Sequence, residues 1–410
     1  MCRRLDSLGQ ETMTTFRSVA FGRVAVLVLL VYSLHALAVA IASSLQPHRQ
    51  WAVVAMCGYL VALLVAVLGR PAPAAMVAMM ASTLLPMVIL SVLGSAQSEV
   101  RVVARGARLL VDTGTPYLHD PGSWRSFNPY LPLMSLFGLL RVLGGSWVTD
   151  PRVWMAAAFA CCMVLAYRAS PRRRVHGRQL VAWLSLLVAC PFIAMPIAVS
   201  GVDVVPAGLM LLGLVLSSRG QPVRAGVVVG LACGLKVTAW PLIVVTAVLV
   251  WVVLPQRSRA EGVGKHLAAA VGTLVVAVLP ALLVDPVALW RNCVAYPFGL
   301  TDFASPAGSP FPGVLLARHV DGGTLVDLCL LGLVALVVLL VIVRRPPGDL
   351  ISAADIISAA LTAAIFLAPA SRFGYLIYPL LLSAGARILS QRTSQVSAAV
   401  APGVAPRVNG

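Results

Sequence analysis

The chain has 410 residues, of which 60% are hydrophobic and 11% are charged, and its mean hydropathy is +0.93. So many continuous apolar runs exclude a water-soluble fold and predict a helical protein that crosses a membrane several times. The net charge of +17 reflects 29 Arg and 2 Lys against 14 acidic residues. Because no basic stripe is interleaved with aromatic residues, this charge does not predict nucleic-acid binding.

Twelve apolar segments follow one another along the chain and predict transmembrane helices. They span residues 24–43, 51–69, 73–95, 152–168, 179–198, 203–218, 224–239, 241–254, 267–284, 324–343, 350–368 and 373–389. Four arginines precede the first segment, as in a signal peptide, but no convincing cleavage site follows it. We therefore expect that segment to remain as a span. The predicted fold class is an all-α polytopic membrane protein with about 12 transmembrane helices.

The distribution of Arg and Lys predicts the orientation of these spans. With a cytoplasmic N-terminus, 20 basic residues lie on the cytoplasmic side, Arg172–Arg174 among them, and 11 lie outside, which is the usual bias. Both termini are then cytoplasmic. This topology requires segment 130–145, with Pro132 near its start and two Gly at its end, to be a short surface or re-entrant helix. If the segment crosses the bilayer, every later loop changes side.

The preference for Arg over Lys, with abundant Ala, Val, Gly and Pro, indicates a GC-rich bacterial genome. A multi-pass protein of a bacterial plasma (inner) membrane is therefore expected. Long loops beside a membrane core usually carry function, and two are predicted outside the membrane. We divide the chain into a tail with three spans (1–95), an extracytoplasmic loop with amphipathic and re-entrant helices (96–151), the remaining bundle (152–392) with the second external loop (285–323), and a flexible cytoplasmic tail (393–410).

The first external loop opens with the mixed-charge stretch QSEVRVVARGARLLVDTGTPYL, residues 97–118. Ser98 is placed to cap a helix that runs to about Val111 and ends at Gly114-Thr115-Pro116. At helical spacing, one stripe consists of Arg101, Arg105, Arg108 and Asp112. The opposite stripe consists of Glu99, Val103, Gly106 and Leu110.

This pattern predicts a helix on the outer membrane surface. Its Arg side would face lipid headgroups or a phosphate, and Glu99 would point toward the protein body. The alternative is an interfacial helix whose charges are solvated.

The motifs after Glu99 resemble those of the polyprenyl-phosphate-sugar-dependent glycosyltransferases of the GT-C fold, most closely the mannosyltransferases of glycosyltransferase family 87. Members carry an acid at the start of the first long external loop, then an "a..ll..G..pY" segment and an aromatic-Pro motif. The corresponding stretches here are ARLLVDTGTPYL (107–118), FNPYLP (127–132), SGVDVVPAGLMLLGL (200–214), GLACGLKVTAWPLIVV (230–245) and APASRFGYLIYPLLL (368–382).

The resemblance covers roughly residues 96–389, with two departures. The family acid is usually Asp, whereas Glu99 is longer by about 1.5 Å, which matters for a positioned base. In addition, three predicted spans precede Glu99 where many relatives have one. Either the N-terminal pair is an addition, or the family's acid corresponds to another residue.

The resemblance implies transfer of a hexose, in this family mannose, from a polyprenyl-phosphate donor to a glycolipid or glycan acceptor at the outer membrane face. One carboxylate would take the acceptor's proton; Glu99 is the first choice and Asp203, at a predicted outer membrane edge, is the second. The anionic leaving group needs cations. The candidates are Arg101, Arg105, Lys236 and Arg372.

Tyr117, Asn128 and Tyr130 are the expected contacts to the acceptor or the sugar. The expected partners are membrane lipid, the lipid-phosphate sugar donor and the acceptor, with no cofactor. No Cys/His metal spacing is present, so no metal residues are assigned and metal dependence stays open. Lys236 snorkelling to the interface, Arg372 as an anchor and an aromatic belt are the structural alternatives.

Two other functions remain open from the sequence alone. A lipid or solute transporter would tend to place charges near the membrane midplane and to show repeated halves, whereas these charges cluster at one face and no repeat is visible. An inactive scaffold relative is the other alternative, which the Asp-to-Glu difference allows.

Overall fold

The structure is a computed structural model that describes residues 2–170 and 177–390, with side chains described from Phe21 onward. The predicted cytoplasmic run Arg172–Arg174 and the predicted tail 393–410 lie outside the described residues. Within the described part, the chain is helical, and its only β-type pairing is an isolated parallel bridge between Gly308 and Ser371. The predicted all-α fold is thereby confirmed.

Four helices precede the first long loop. They are α1 (Cys2–Ala42), α2 (Gln46–Val67), α3 (Pro71–Ser82) and α4 (Leu84–Val92). The last two form one broken span. Because Pro86 has no N–H to donate to the Ser82 carbonyl, that carbonyl is free to accept a hydrogen bond from the Trp51 indole, at 2.8 Å. The break therefore ties α2 to the third span.

The long loop contains short helices, and the remaining bundle follows it. The loop comprises α5 (Ser98–Thr113), α6 (Leu139–Leu143) and 3-10 helices at Trp124–Ser126, Pro132–Gly138 and Trp147–Thr149. The bundle comprises α7 (Pro151–Ala169), α8 (Gly177–Val188), α9 (Pro191–Val199), α10 (Val204–Ser218), α11 (Pro222–Leu235), α12 (Pro241–Val253), α13 (Arg259–Val284), α14 (Pro286–Trp290), α15 (Pro312–His319), α16 (Gly323–Arg344), α17 (Leu350–Leu367) and α18 (Ile377–Leu389). Further 3-10 helices lie at Val237–Ala239, Gln256–Ser258 and Phe373–Leu376, and a π-helix lies at Arg291–Ala295.

Each of the twelve predicted spans corresponds to helical structure. Among the described residues, seven helical segments are long and apolar enough to cross a membrane, and α8 with α9 makes an eighth, bent by 66°. The other four correspond to shorter apolar helices of 10–17 residues. Segment 130–145 contains only a twelve-residue helical stretch, Pro132–Leu143, which is shorter than a bilayer core requires.

The two external segments pack against each other. The His119 imidazole pairs with the Asp285 carboxylate at 2.7 Å, and the Phe127 and Tyr296 rings stack with centroids 4.1 Å apart. The backbone N–H of Asn128 donates to the Asn292 side chain, at 2.8 Å. The loops thus form one cap over the end of the bundle at which the predicted functional charges lie.

The predicted functional charges lie at helix ends and at breaks between helices. Glu99 lies in the first turn of α5, and Asp203 is the residue before α10. Lys236 is an extended residue between α11 and the next 3-10 helix, and Arg372 is an extended residue just before the 3-10 turn that leads into α18. At a helix N-terminus the unpaired N–H groups favour a carboxylate, which suits both acids.

Candidate functional site

The inward face of α5 holds Glu99 in the protein interior. Glu99, Val103 and Gly106 are buried, whereas Arg101 and Arg108 are exposed. The two predicted stripes of α5 therefore lie on its exposed and its buried side, as expected. The helix starts one residue earlier than expected. Gln97 rather than Ser98 occupies the N-cap position, and Ser98 instead donates a hydrogen bond to Glu99 Oε2, at 3.2 Å.

The chain just before Glu99 is fastened to three neighbours. The Gln97 N–H donates to the Val199 carbonyl at 3.0 Å, and the Ser95 hydroxyl donates to the Gln50 side chain. The Ser95 carbonyl accepts from Arg152 Nη1, at 2.9 Å. These contacts join α2, α7 and α9 to the start of α5, so the position of Glu99 is set by the membrane bundle.

Arg152 is a fully buried cation that sequence reasoning missed. Its guanidinium makes a two-pronged contact with the Asp150 carboxylate, at 3.0 and 2.8 Å, and also donates to the Ala198 carbonyl. A buried charge is tolerated when it is paired and fully hydrogen-bonded. The sequence feature that could have identified it is an Arg in the first turn of an apolar helix, directly after Asp-Pro. Its role here is to hold the backbone around Ser95 and Ala198.

Glu99 forms an ion pair with Arg372, which comes from the opposite end of the sequence. The Glu99 side chain is 7% exposed and that of Arg372 is 27% exposed, so the pair lies at a partly open edge. Ser371 next to it is held by the parallel bridge to Gly308. Burial opposes the Arg372 charge, but the Tyr375 hydroxyl and the Glu99 carboxylate outweigh it and raise the Arg372 pKa above its ordinary value.

A second ion pair, between Asp203 and Lys236, lies beside the first. Its side chains are 8% and 11% exposed. The Tyr378 hydroxyl donates to the same Asp203 oxygen, at 2.7 Å. Burial disfavours the Lys236 ammonium, and the adjacent Asp203 carboxylate offsets this cost.

Aromatic rings connect the two ion pairs. The Lys236 ammonium lies 4.4 Å from the Tyr375 ring centroid and 5.8 Å from that of Tyr130. The Arg372 guanidinium lies 5.6 Å from the Tyr375 ring. Since cations are attracted to aromatic faces within about 6 Å, the Tyr375 ring stabilises both Lys236 and Arg372. The sequence did not single out Tyr375, although it stands within the SRFGY motif.

The four charged residues and Tyr130 thus form one cluster, which we call the charged site: Glu99, Asp203, Lys236, Arg372 and Tyr130, with Tyr375 beside them. Two acids, two cations and a buried ring meet there from α5, the residue before α10, the break after α11 and the turn before α18. Such an arrangement can accept a proton at a carboxylate and hold an anion at the cations.

Two of the predicted ligand contacts, Tyr117 and Asn128, make hydrogen bonds within the loop, and their contact with a ligand stays a prediction. Tyr117 is 3% exposed, and its hydroxyl donates to the Tyr130 carbonyl at 2.9 Å. Asn128 is also 3% exposed and donates from its carboxamide to the Pro116 carbonyl. Because their polar atoms are committed inside the loop, these side chains fix the position of Tyr130. Tyr130 itself remains in the charged site.

The two predicted cations on α5 form no ion pair with Glu99 or Asp203, whose ion-pair partners are Arg372 and Lys236. Arg101 is exposed on the outer face of the helix. Arg105 donates to the carbonyls of Arg125, Ser126 and Phe127, at 2.7–3.1 Å. Arg105 thus fixes the loop backbone in this structure, and its expected phosphate contact stays a prediction.

Comparison with known proteins identifies the family. The sequence profile of glycosyltransferase family 87 matches residues 129–369, which is more than half of the chain. The chain belongs to glycosyltransferase family 87. The family predicted from the sequence is thereby confirmed. A search of curated proteins found no match.

The match to family 87 contains Tyr130, Asp203 and Lys236, whereas Glu99 precedes it and Arg372 follows it. Among solved structures, the chain is similar to ArnT from Cupriavidus metallidurans in the apo state, with 18% identity and a TM-score of 0.44. The similarity covers 72% of this chain and 55% of the ArnT chain, so the chain spans about half the length of that protein.

Proposed function

We propose that this family 87 glycosyltransferase transfers a hexose, in particular mannose, from a polyprenyl-phosphate donor to a glycolipid or glycan acceptor. The proposed location is the outer face of a bacterial plasma membrane. The observation that carries the proposal is the pairing of Glu99 with Arg372, because it puts a proton acceptor next to a phosphate-binding group. Transfer from a lipid-phosphate sugar needs both groups close to the anomeric carbon, because the acceptor loses a proton there while the phosphate departs.

The reaction that we propose balances as follows. The acceptor hydroxyl oxygen forms a bond to the anomeric carbon, and its proton passes to a carboxylate oxygen of Glu99. The bond between the anomeric carbon and the phosphate oxygen breaks, and its electron pair stays on that oxygen. The products are the glycosylated acceptor and polyprenyl phosphate. General-base assistance of this kind contributes roughly 10²–10⁴-fold.

Arg372 and Lys236 are the proposed partners of the departing phosphate. Both are paired with an acid in the absence of substrate, so an incoming phosphate would compete with Glu99 for Arg372. That exchange would release the Glu99 carboxylate to act as the base. Asp203 has a different proposed role, since it is held by both Lys236 and Tyr378. It orients the Lys236 ammonium, which makes it a positioning residue and leaves Glu99 as the base.

The test is a transfer assay with membranes that contain the protein. They are incubated with polyprenyl-phosphate mannose carrying a radiolabelled sugar, and the labelled product is identified after extraction. We expect label to move into a glycolipid or glycan, and Glu99→Gln to abolish this. Membranes with Glu261→Gln serve as the control, because Glu261 is an exposed acid paired with Lys265 on α13. If the wild type transfers another hexose but not mannose, the proposed sugar is wrong. If it uses no lipid-phosphate sugar, the proposed class of donor is wrong.

A further inference from the structure

The first turn of α2 lies against the start of α5, on the side where Glu99 is found. Gln50 of α2 accepts a hydrogen bond from Ser95, and the Trp51 indole fixes the same turn to the Ser82 carbonyl. His48 lies in this turn, where its imidazole interacts with the Gln97 side chain and, electrostatically, with Glu99 and Arg372. One of the N-terminal spans, which precede the family 87 match, therefore brings a third ionisable side chain to the Glu99–Arg372 pair.

Two nitrogen atoms near Glu99 have no hydrogen-bond partner among the described residues. One is His48 Nε2, and the other is Arg372 Nε; both are buried from solvent. The Arg372 Nη1 group is engaged by Glu99, which leaves its Nε available. Buried donors are normally satisfied, and an unsatisfied one carries a desolvation penalty. Two such nitrogens beside one ion pair indicate a site that a ligand completes.

The chemistry of these atoms selects the ligand. Arg Nε always carries a proton, and the imidazole donates from Nε2 in one of its two neutral tautomers and when protonated. Both atoms can therefore donate, and Arg372 adds a positive charge. A lipid phosphate, which is a diester in the sugar donor and a monoester in the product, offers at least two strong acceptor oxygens and a negative charge. A neutral sugar hydroxyl can accept hydrogen bonds but carries no charge to interact with Arg372.

We infer that His48 is a phosphate-binding residue, and that His48 Nε2 and Arg372 Nε together hold the phosphate of the lipid donor. This inference rests on the proposed function, since it assigns a further contact to the same donor. It also gives the N-terminal spans a role: they complete the donor site from outside the region shared with family 87.

The experiment measures binding rather than transfer. Purified full-length protein in detergent is titrated with polyprenyl phosphate, with inorganic phosphate and with polyprenol, which has the same chain and no phosphate. The variants are His48→Ala and His48→Gln, whose amide nitrogen can still donate. His266→Gln is the control, because both ring nitrogens of that buried histidine have partners, one at Thr246 on α12 and one at Pro222, the first residue of α11.

We expect His48→Ala to weaken polyprenyl phosphate binding roughly 10- to 150-fold, the range for one charge-assisted hydrogen bond. We expect His48→Gln to recover part of the affinity and His266→Gln to leave it unchanged. Polyprenol binding should not change in any variant. A parallel loss of inorganic phosphate binding would show that His48 contacts the phosphate itself, whereas retained inorganic phosphate binding would restrict the contact to the lipid-bound form.

Two results would overturn the inference. One is wild-type affinity of His48→Ala for polyprenyl phosphate. The other is an equal loss of polyprenol binding, which would mean that His48 supports the fold of the lipid site. The proposed function fails separately: in that case the wild type binds polyprenyl phosphate but transfers no sugar from its glycosylated form in the membrane assay.

Discussion

Glu99 and Arg372 are 273 positions apart in the sequence and form an ion pair at the edge of the helical bundle. Neither residue lies within the stretch that matches the family profile, which ends three residues before Arg372. The pair nevertheless adjoins Asp203 and Lys236, which do lie within it. The charged site is therefore assembled from both flanks of the shared region as well as from its interior.

The first prediction concerns Glu99 as the base. Glu99→Gln keeps the shape of the side chain but removes the proton acceptor, so turnover should fall roughly 10²- to 10⁴-fold while polyprenyl phosphate still binds. Glu99→Asp should retain part of the activity, because the carboxylate survives and only its reach changes. Initial rates and donor affinity, measured on the same preparations, separate the two effects.

The control for this prediction is Glu261→Gln, which changes an acid of the same type that is 67% exposed. It should leave the rate unchanged. Near-normal turnover in Glu99→Gln would eliminate Glu99 as the base, and Asp203→Asn would then be the variant to measure.

A second prediction separates the two arginines of α5. Arg105→Ala removes the donors to three loop carbonyls and should lower the free energy of unfolding by about 1–3 kcal/mol. It should also expose residues 119–127 to protease. Arg101→Ala is the matched comparison, because Arg101 is exposed on the same helix, and it should change neither property. Equal protease sensitivity of the two variants would contradict the structural role of Arg105.

Much of the architecture could be predicted because membrane burial leaves a strong periodic signal. Apolar length predicted twelve helical segments, of which eight are long and apolar enough to cross a membrane when α8 and α9 count as one, and the alternation of arginines with Val103 and Gly106 predicted which side of α5 is buried. The same reasoning placed Glu99, Asp203, Lys236 and Arg372 at one end of the bundle. It could not say which acid pairs with which cation, since that depends on how the helices pack.

The sequence could not decide between a binding role and a structural role for the polar residues of the loop. Tyr117 and Asn128 are polar residues in an external loop, and such residues serve equally well to bind sugars or to fix a loop from within. Only the tertiary contacts distinguish the two, and here Cys293 and Asn292 from the second external loop surround them. His48 was missed for a similar reason, because a single histidine near a helix end carries no spacing signal.

The third prediction concerns the pair between Asp203 and Lys236. Lys236→Met leaves a nearly buried carboxylate without its partner, which typically destabilises a protein by about 3–5 kcal/mol. The double variant Asp203→Asn/Lys236→Met removes both charges and should be more stable than Lys236→Met alone. Apparent midpoints of thermal unfolding in detergent would show this. Lys265→Met is the control, since Lys265 is exposed and paired with Glu261; a double variant no better than the single one would contradict the coupling.

The last prediction concerns the close contact between α5 and the 3-10 helix Pro132–Gly138. A β-carbon at Gly138 would lie 2.6 Å from the Val103 carbonyl oxygen and 2.8 Å from the Ala107 side chain. Because one of these neighbours is helix backbone, it cannot move aside alone. Gly138→Ala should therefore push α5 outward and lower stability by about 1–3 kcal/mol, as overpacking usually does.

Gly144→Ala is the matched control, because Gly144 lies six residues later in the same loop with no atom within 4 Å of the added carbon. Its backbone is extended, with φ −177°, a conformation that alanine also adopts. We expect it to leave the unfolding midpoint and the transfer rate unchanged. Gly138→Ala should lower both, since displacement of α5 moves Glu99 relative to Arg372, and small displacements of a positioned base reduce turnover strongly. A Gly138→Ala protein with lower stability but a normal rate would mean that α5 tolerates the shift at its N-terminus, and that the Arg152 and Gln97 contacts alone hold Glu99 in place.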